Sequence, residues 1–171
     1  IVNLCRTLAP NRGRPGRSLR AMVVGIPNVG KSTLINTLAG KKIARVGDKP
    51  AITTCPQQID LRNGILLSDT PGLLWPVIDN PAGASRLATS GAIGDSALDY
   101  ISVAQFAMDF MLERYSDAVI ERYKLTEKPE SVSLALEAIG RRRGCLITGG
   151  DIDVHRAAEI FLRELRAGTL G

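Results

Sequence analysis

The sequence is poor in the residues from which several common kinds of site are built. It has one histidine, His155, and three cysteines, Cys5, Cys55 and Cys145, which lie far apart and form no C-x-x-C pair. Neither a disulfide framework nor a zinc site is indicated, and a reducing compartment fits best. Aromatic residues make up 4% of the chain, and no apolar run approaches the length that spans a membrane.

Length and charge set wide limits on the class of protein. The chain of 171 residues is long enough for one domain or two small ones, and it carries a net charge of +5. A mild positive excess allows a polyanionic partner such as RNA but does not require one. Basic residues that serve solubility alone would give the same balance, so charge leaves both interpretations open.

The stretch GIPNVGKS, from Gly25 to Ser32, has the spacing of a phosphate-binding loop, G-x-x-x-x-G-K-S. A short apolar run precedes it and predicts a buried strand, and helical spacing follows until Gly40. Loop amides and the start of that helix would face phosphate oxygens, with Lys31 as a point charge. We expect nucleotide contacts from Pro27, Asn28, Val29, Gly30, Lys31, Ser32, Thr33 and Gly72.

Downstream residues complete the pattern of a nucleotide switch. Residues 57–61 and 65–68 predict a hairpin around Arg62-Asn63-Gly64, and the second strand runs into Asp69-Thr70-Pro71-Gly72. An aspartate at the end of such a strand holds Mg²⁺ through water or through the loop hydroxyl, here Ser32, and Gly72 is placed to meet the γ-phosphate. Thr53, with Thr54 as second choice, occupies the position of a switch threonine. The predicted Mg²⁺ set is Ser32, Thr53 and Asp69, and Lys31, Thr53 and Gly72 are the predicted catalytic residues.

These motifs together resemble those of the YlqF/RbgA family of circularly permuted ribosome-assembly GTPases. The resemblance rests on GIPNVGKSTLIN, on ITT and on DTPGLLWP, and it continues through ERYKL and AIGRRRGCLITGG. It implies GTP or GDP and Mg²⁺ as ligands, leaves open whether K⁺ takes part, and implies the large ribosomal subunit and its rRNA as partners. It also implies a monomer in the bacterial cytoplasm, with a mitochondrial location as the alternative.

The chain departs from that family pattern at several points. Pro50-Ala51 stands where the family usually has Pro-Gly, and no N-K-x-D motif, which reads guanine, occurs. The resemblance implies that this motif precedes the phosphate loop, so the N-terminal half of the GTPase domain would be missing. Leu73 follows Gly72 where many GTPases have a water-orienting glutamine. We therefore expect slow intrinsic hydrolysis that a partner accelerates, and an inactive isolated fragment is an open alternative. His155 is predicted to be a helix-surface residue.

Residues 75–95 are rich in Pro, Gly, Ala and Ser, and beyond them the spacing of apolar residues is helical. Four predicted helices, ending with one closed by Gly140 and one capped by Asp153, would bury a shared core. Arg141, Arg142 and Arg143 could complement a helix terminus or bind RNA phosphates, and the family resemblance favours RNA.

The predicted fold is α/β: an incomplete P-loop GTPase (Rossmann-like) core over residues 1–82, followed by an all-α domain over residues 83–171. The predicted function is a GTP-hydrolysing switch in assembly of the large (50S) ribosomal subunit. Two alternatives stay open, a P-loop NTPase of other nucleotide specificity and a non-catalytic RNA-binding fragment.

Overall fold

The computed structural model describes residues 1–14, 16–43, 57–74, 78–94 and 99–170. The chain divides into two compact units, Ile1–Pro76 and Val77–Gly171. The domain limits expected from the sequence, 1–82 and 83–171, stay a prediction. Among the described helices, none combines the length and the hydrophobicity that crossing a bilayer requires.

The first unit is a small mixed sheet with two helices. Its described elements are α1 (Val2–Leu8), β1 (Leu19–Val23), α2 (Lys31–Ala39), β2 (Gln57–Asp60) and β3 (Ile65–Asp69). The strand order is β1-β3-β2: β1 runs parallel to β3, and β2 runs antiparallel to it. The α/β class and the three predicted strands are therefore confirmed. The parallel pair brings the carboxyl ends of β1 and β3 to one edge of the sheet.

The turn between β2 and β3 explains why the hairpin was readable from the sequence. Arg62 and Gly64 have positive φ angles of 56° and 86°. The Asp60 carboxylate accepts a hydrogen bond from the Arg62 amide at 2.8 Å, and the Asn63 side chain accepts one from the Ile65 amide at 3.2 Å. Asx side chains and glycine favour such turns because they bond the local backbone or tolerate positive φ.

The core of the first unit is small. Ile35 of α2, Ile59 of β2 and Leu67 of β3 are its buried centre. On β1 and just beyond it, Met22 and Val24 are 64% and 67% exposed. Within the described residues, β1 pairs on one side only and is an edge strand. An exposed edge with apolar side chains is a surface that proteins usually cover.

The second unit consists of helices around one core. The described helices are α3 (Pro81–Thr89), α4 (Tyr100–Arg114), α5 (Ser116–Tyr123), α6 (Val132–Arg143) and α7 (Val154–Arg166). Met108, Val119, Leu136, Ile139 and Phe161 are among its fully buried side chains. The all-α character of this half is confirmed.

The prediction of four helices in this unit is wrong, because α3 is a fifth among the described residues. It lies in the stretch rich in Pro, Gly, Ala and Ser, where no helix was predicted. Asn80 caps the helix by accepting a hydrogen bond from the Gly83 amide at 3.2 Å, and Pro81 takes the first helical position, where its missing N–H costs nothing. At the other end, Arg166 of α7 donates to the carbonyls of Ala88 and Thr89 at 2.8 and 3.0 Å.

The prediction that Gly140 closes α6 is also wrong. The helix continues to Arg143 and ends at Gly144, which has a left-handed φ of 68°. Gly140 lies inside the helix where Ile152 packs against it. A Cβ at Gly140 would lie 2.5 Å from the Ile152 Cγ2 atom, so glycine is required there for a close contact.

A carboxylate on α7 joins two arginines of the second unit. Glu164, whose side chain is 15% exposed, pairs with Arg122 of α5 at 2.9 Å and with Arg143 of α6 at 2.8 Å. Burial raises the pKa of Glu164, but the hydrogen bonds and charges of Arg122 and Arg143 outweigh this and hold it below the ordinary value of 4.5. Burial raises the pKa of Tyr123, whose ring lies under the Arg143 guanidinium at 5.3 Å.

The lowered pKa of Glu164 predicts a pH-dependent contribution to stability. This contribution is complete above the ordinary glutamate pKa and is lost as the pH falls through the lower folded-state value. We expect Glu164→Gln to lower the urea midpoint at neutral pH, measured by far-UV circular dichroism, and to shrink the difference from wild type in acid. Glu159→Gln removes an exposed carboxylate from the same helix and should leave the midpoint and its pH profile unchanged. If the urea midpoint of Glu164→Gln changed with pH in parallel with that of wild type, the lowered pKa of Glu164 would be contradicted.

Candidate functional site

The loop between β1 and α2 has the backbone shape of an anion site. Asn28 and Gly30 have positive φ angles of 57° and 86°, and α2 begins at Lys31 without a side-chain cap. Four helices of the second unit are instead capped by side chains, those of Asn80, Asp99, Ser131 and Asp153. Gly30 supplies no side-chain acceptor to the first turn of α2, and the positive helix end favours an anion there.

Lys31 is held against its own loop. Its Nζ atom donates to the carbonyls of Gly25 at 3.1 Å and Ile26 at 2.8 Å. An ammonium group has three N–H donors, so two such bonds fix its position and the third can reach a phosphate oxygen. Asn28, Val29, Gly30 and Thr33 are exposed beside it, and Pro27 and Ser32 are half-buried.

Ser32 and Asp69 meet at the carboxyl edge of the sheet. The Ser32 hydroxyl donates to Asp69 Oδ2 at 3.0 Å, and Asp69, the last residue of β3, is 1% exposed. A hydroxyl and a carboxylate are oxygen donors of the kind that Mg²⁺ prefers. No cluster of three or more His, Cys, Asp or Glu occurs in the described part of the chain. Ser32 and Asp69 offer two oxygen ligands, which fit an ion that keeps water and phosphate as its other ligands.

The segment after β3 is tied to the phosphate loop. Thr70 Oγ1 donates to the Val23 carbonyl at 2.8 Å, and the Leu73 amide donates to the Gly25 carbonyl at 3.3 Å. A Cβ at Gly72 would lie 2.6 Å from backbone atoms of Pro27, so only glycine permits this approach. Lys31, Ser32, Asp69 and Gly72 therefore come together. The sequence analysis assigned no contact to Thr70, whose hydroxyl joins the end of β3 to Val23 of β1. Its place between Asp69 and Pro71 was the one available sequence signal for such a contact.

Other predicted residues lie elsewhere. Thr53 and Thr54 fall outside the described residues, so the third predicted Mg²⁺ ligand stays a prediction. His155 is exposed on α7 in the second unit, where its Nδ1 lies 3.6 Å from Glu159 Oε1 and its ring meets that of Tyr100. This fits a helix-surface residue. Leu73 is 73% exposed and carries no group that could orient water.

The loop follows a strand and is bounded by glycines. A lysine and a serine begin the helix after it, and a buried aspartate ends the neighbouring parallel strand. Together these features define a P-loop nucleotide-binding protein. The sequence model of the 50S ribosome-binding GTPases matches residues 20–136. The chain therefore belongs to the family of 50S ribosome-binding GTPases.

Individual relatives and a solved structure agree with that family. The chain is 50% identical over 160 residues to Ribosome biogenesis GTPase A of Bacillus cereus, covering 94% of this chain and 54% of that protein. It is 36% identical over 194 residues to Mitochondrial ribosome-associated GTPase 1 of Ictalurus punctatus, covering 100% and 61%. GNP-bound YlqF from T. maritima matches with a TM-score of 0.58 and 29% identity, covering 90% of this chain and 57% of that one. The chain thus spans about half the length of the curated relatives that it matches.

Proposed function

We propose that the chain is the phosphate- and Mg²⁺-binding part of a GTP-hydrolysing switch that acts in large-subunit (50S) ribosome assembly. One observation carries the proposal: Lys31, Ser32, Asp69 and Gly72 converge at one edge of the sheet in a member of a GTPase family. The solved YlqF structures are named as GNP-bound and as GDP-bound, which supports GTP and GDP as ligands.

Each residue of the site has a distinct role in this proposal. Lys31 and the backbone N–H groups from Asn28 to Thr33 hold the β- and γ-phosphates, and Pro27, which has no N–H, lies beside them in the loop. Ser32 and Asp69, with Thr53, hold the divalent ion, which when bound neutralises charge on the phosphates. Gly72 offers its backbone N–H to the γ-phosphate. Leu73, which follows Gly72, donates its amide to the Gly25 carbonyl, so a change at the γ-phosphate would reach the phosphate loop through this hydrogen bond.

Hydrolysis by this arrangement should be slow without a partner. Leu73 follows Gly72 directly, and a hydrocarbon side chain cannot orient the attacking water. A partner that orders the site or supplies a polar group would raise the rate. Measuring phosphate release from GTP with and without K⁺ tests whether K⁺ contributes to that rate.

Guanine recognition is proposed to come from sequence outside these residues. The chain has no N-K-x-D motif and spans 54% of the Bacillus cereus relative. The edge strand β1, with exposed Met22 and Val24, offers a place where the other half of a GTPase sheet could pair and pack. Addition of the corresponding half of a relative as a separate polypeptide should therefore raise GTP affinity.

The partners and location follow from the same family. We propose the large ribosomal subunit and its rRNA as partners of a monomeric protein, and the bacterial cytoplasm as its location. The mitochondrial relative from Ictalurus punctatus supports the organelle as the alternative location. A P-loop NTPase with other base specificity and a non-catalytic RNA-binding fragment are the competing functions.

A competition assay separates these functions. A fluorescent GTP analogue is bound with Mg²⁺ to this chain together with the corresponding half of a relative, and unlabelled GTP, GDP and ATP compete for the site. Displacement by GTP and GDP at concentrations well below that of ATP supports the proposal. Equal displacement by ATP supports a less specific NTPase, and absence of saturable binding supports the RNA-binding fragment.

A further inference from the structure

Six exposed arginines gather at the end of the first unit where β1 and β3 begin. The members of this hairpin-end arginine cluster are Arg6, Arg12, Arg14, Arg17, Arg20 and Arg62. The phosphate loop follows the opposite end of β1, since β1 runs from Leu19 to Val23 and the loop comes after it. The cluster is therefore separate from the nucleotide site.

The backbone that carries the cluster is tied to the β2–β3 turn. The Gly13 amide donates to the Arg17 carbonyl at 2.7 Å, and the Leu19 amide donates to the Gly64 carbonyl at 2.9 Å. A Cβ at Gly64 would lie 2.5 Å from the Gly13 carbonyl oxygen, so the two glycines are packed together. Arg6 of α1 reaches the same turn by donating to the Asn63 carbonyl at 3.1 Å. The described residues around Arg12, Arg14 and Arg17 are thus tied to the β2–β3 turn by backbone hydrogen bonds and by the contact of Gly13 with Gly64.

The cluster accounts for the net charge of the chain. Asp60 and Asp69 are the acidic residues among the described part of the first unit, and Asp69 is buried at the other end of β3. Six arginines with Asp60 give +5, which equals the charge of the whole chain, so the remaining residues balance to zero.

The guanidinium groups of Arg12, Arg14, Arg17, Arg20 and Arg62 form no ion pair or hydrogen bond with other residues that the structure describes.

The three adjacent arginines of the second unit are used differently. Arg142 donates to the Lys124 carbonyl at 2.7 Å, where α5 ends, and Arg143 pairs with Glu164. Arg141 lies 3.7 Å from Glu137 on the same helix. Two of these three guanidinium groups are therefore committed to contacts inside the unit, which weakens the expectation that this tract is the RNA contact.

We propose that the hairpin-end arginine cluster binds the phosphodiester backbone of folded RNA. Guanidinium groups bind phosphate oxygens in bidentate geometry, and a fixed array of them matches a line of phosphates. No aromatic residue occurs in the segments 6–20 and 60–66, so bases would not stack there and binding would not depend on sequence. This inference rests on the proposed function, because it names the surface by which the switch would meet rRNA.

The test is the affinity of the full chain for a fluorescein-labelled RNA hairpin with a stem of about 16 base pairs, measured by anisotropy over a range of salt concentrations. Replacing Arg12, Arg14 and Arg17 together by glutamine should weaken binding at least about tenfold near 0.1 M salt. The slope of log affinity against log salt should fall in magnitude by about 2, because three phosphate contacts are lost. Lysine at the same three positions keeps the charge and should restore most of the affinity.

The matched control removes the same charge from the second unit through Arg141→Gln, Arg156→Gln and Arg163→Gln, all at exposed positions. Its affinity should stay within about twofold of wild type, since distant charges are screened at this salt. Wild-type affinity of the first triple variant, an equal loss in the control, or no recovery with lysine would each overturn the proposal. Binding of fluorescent GTP is measured on the same proteins. Its absence from wild type would overturn the proposed function while leaving the RNA result to stand or fall alone.

Discussion

Replacing Lys31 with alanine is expected to abolish GTP binding while the second unit stays folded. The ammonium group is fixed by the Gly25 and Ile26 carbonyls, so it meets a phosphate without further ordering. Losing one member of such a charge pair costs about 2–5 kcal/mol, which is a factor of about 30 to several thousand in Kd. Fluorescent GTP titration measures the loss, and far-UV circular dichroism reports the helices of the second unit.

The matched control is Lys41→Ala, which removes an exposed lysine just beyond the end of α2. It should bind GTP as wild type does, because its charge lies outside the loop. Undiminished GTP binding by the Lys31 variant would show that the phosphates lie elsewhere. A collapse of the circular dichroism signal would show instead that Lys31 supports the fold.

Replacing Asp69 with asparagine is expected to remove most of the effect of Mg²⁺ on GTP affinity. Asp69 is buried and accepts a hydrogen bond from the Ser32 hydroxyl at 3.0 Å. Its carboxylate would therefore orient Ser32 as a ligand of the ion, or balance the charge of the ion through a bridging water. Loss of such a supporting group typically weakens metal binding about 10- to 100-fold. GTP titrations with Mg²⁺ and with EDTA should therefore differ strongly for wild type and little for Asp69→Asn.

Asp60→Asn supplies the comparison for this prediction. Asp60 is an exposed carboxylate at the end of β2, and asparagine can still accept the Arg62 amide. This variant should keep the full difference between Mg²⁺ and EDTA. If Asp69→Asn also keeps it, the buried carboxylate has no part in holding the ion.

The parts of the molecule that were predictable from the sequence depend on local chemistry. The phosphate loop is a contiguous pattern in which glycines, a lysine and a serine have fixed positions, and Gly40 ends α2 in a left-handed conformation as expected. The hairpin was readable because Asn63 and Gly64 act within their own turn. The position of Asp69 followed from the strand that ends there.

Features that depend on distant residues were not predictable in the same way. Gly140 carries the sequence signal of a helix end, yet it serves a close contact with Ile152, twelve positions away. In the sequence, Arg142 and Arg143 belong to a basic tract whose partners are not evident. In the structure, Arg142 donates to the Lys124 carbonyl and Arg143 pairs with Glu164. Arg12, Arg14 and Arg17 flank or follow Gly13, and the sequence does not show that Gly13 packs against Gly64 of the β2–β3 turn. Single-sequence patterns report spacing along one element and do not report such partners.

The central claim is that a nucleoside triphosphate lies against the amides that begin α2, with a divalent ion beside it. Its most direct test is a titration of the ¹⁵N-labelled chain with GTP and Mg²⁺ followed by amide chemical shifts. The account predicts that the largest changes fall on Val29 to Thr33 and on Gly72. Changes confined to the hairpin-end arginine cluster, with the loop amides unmoved, would contradict it.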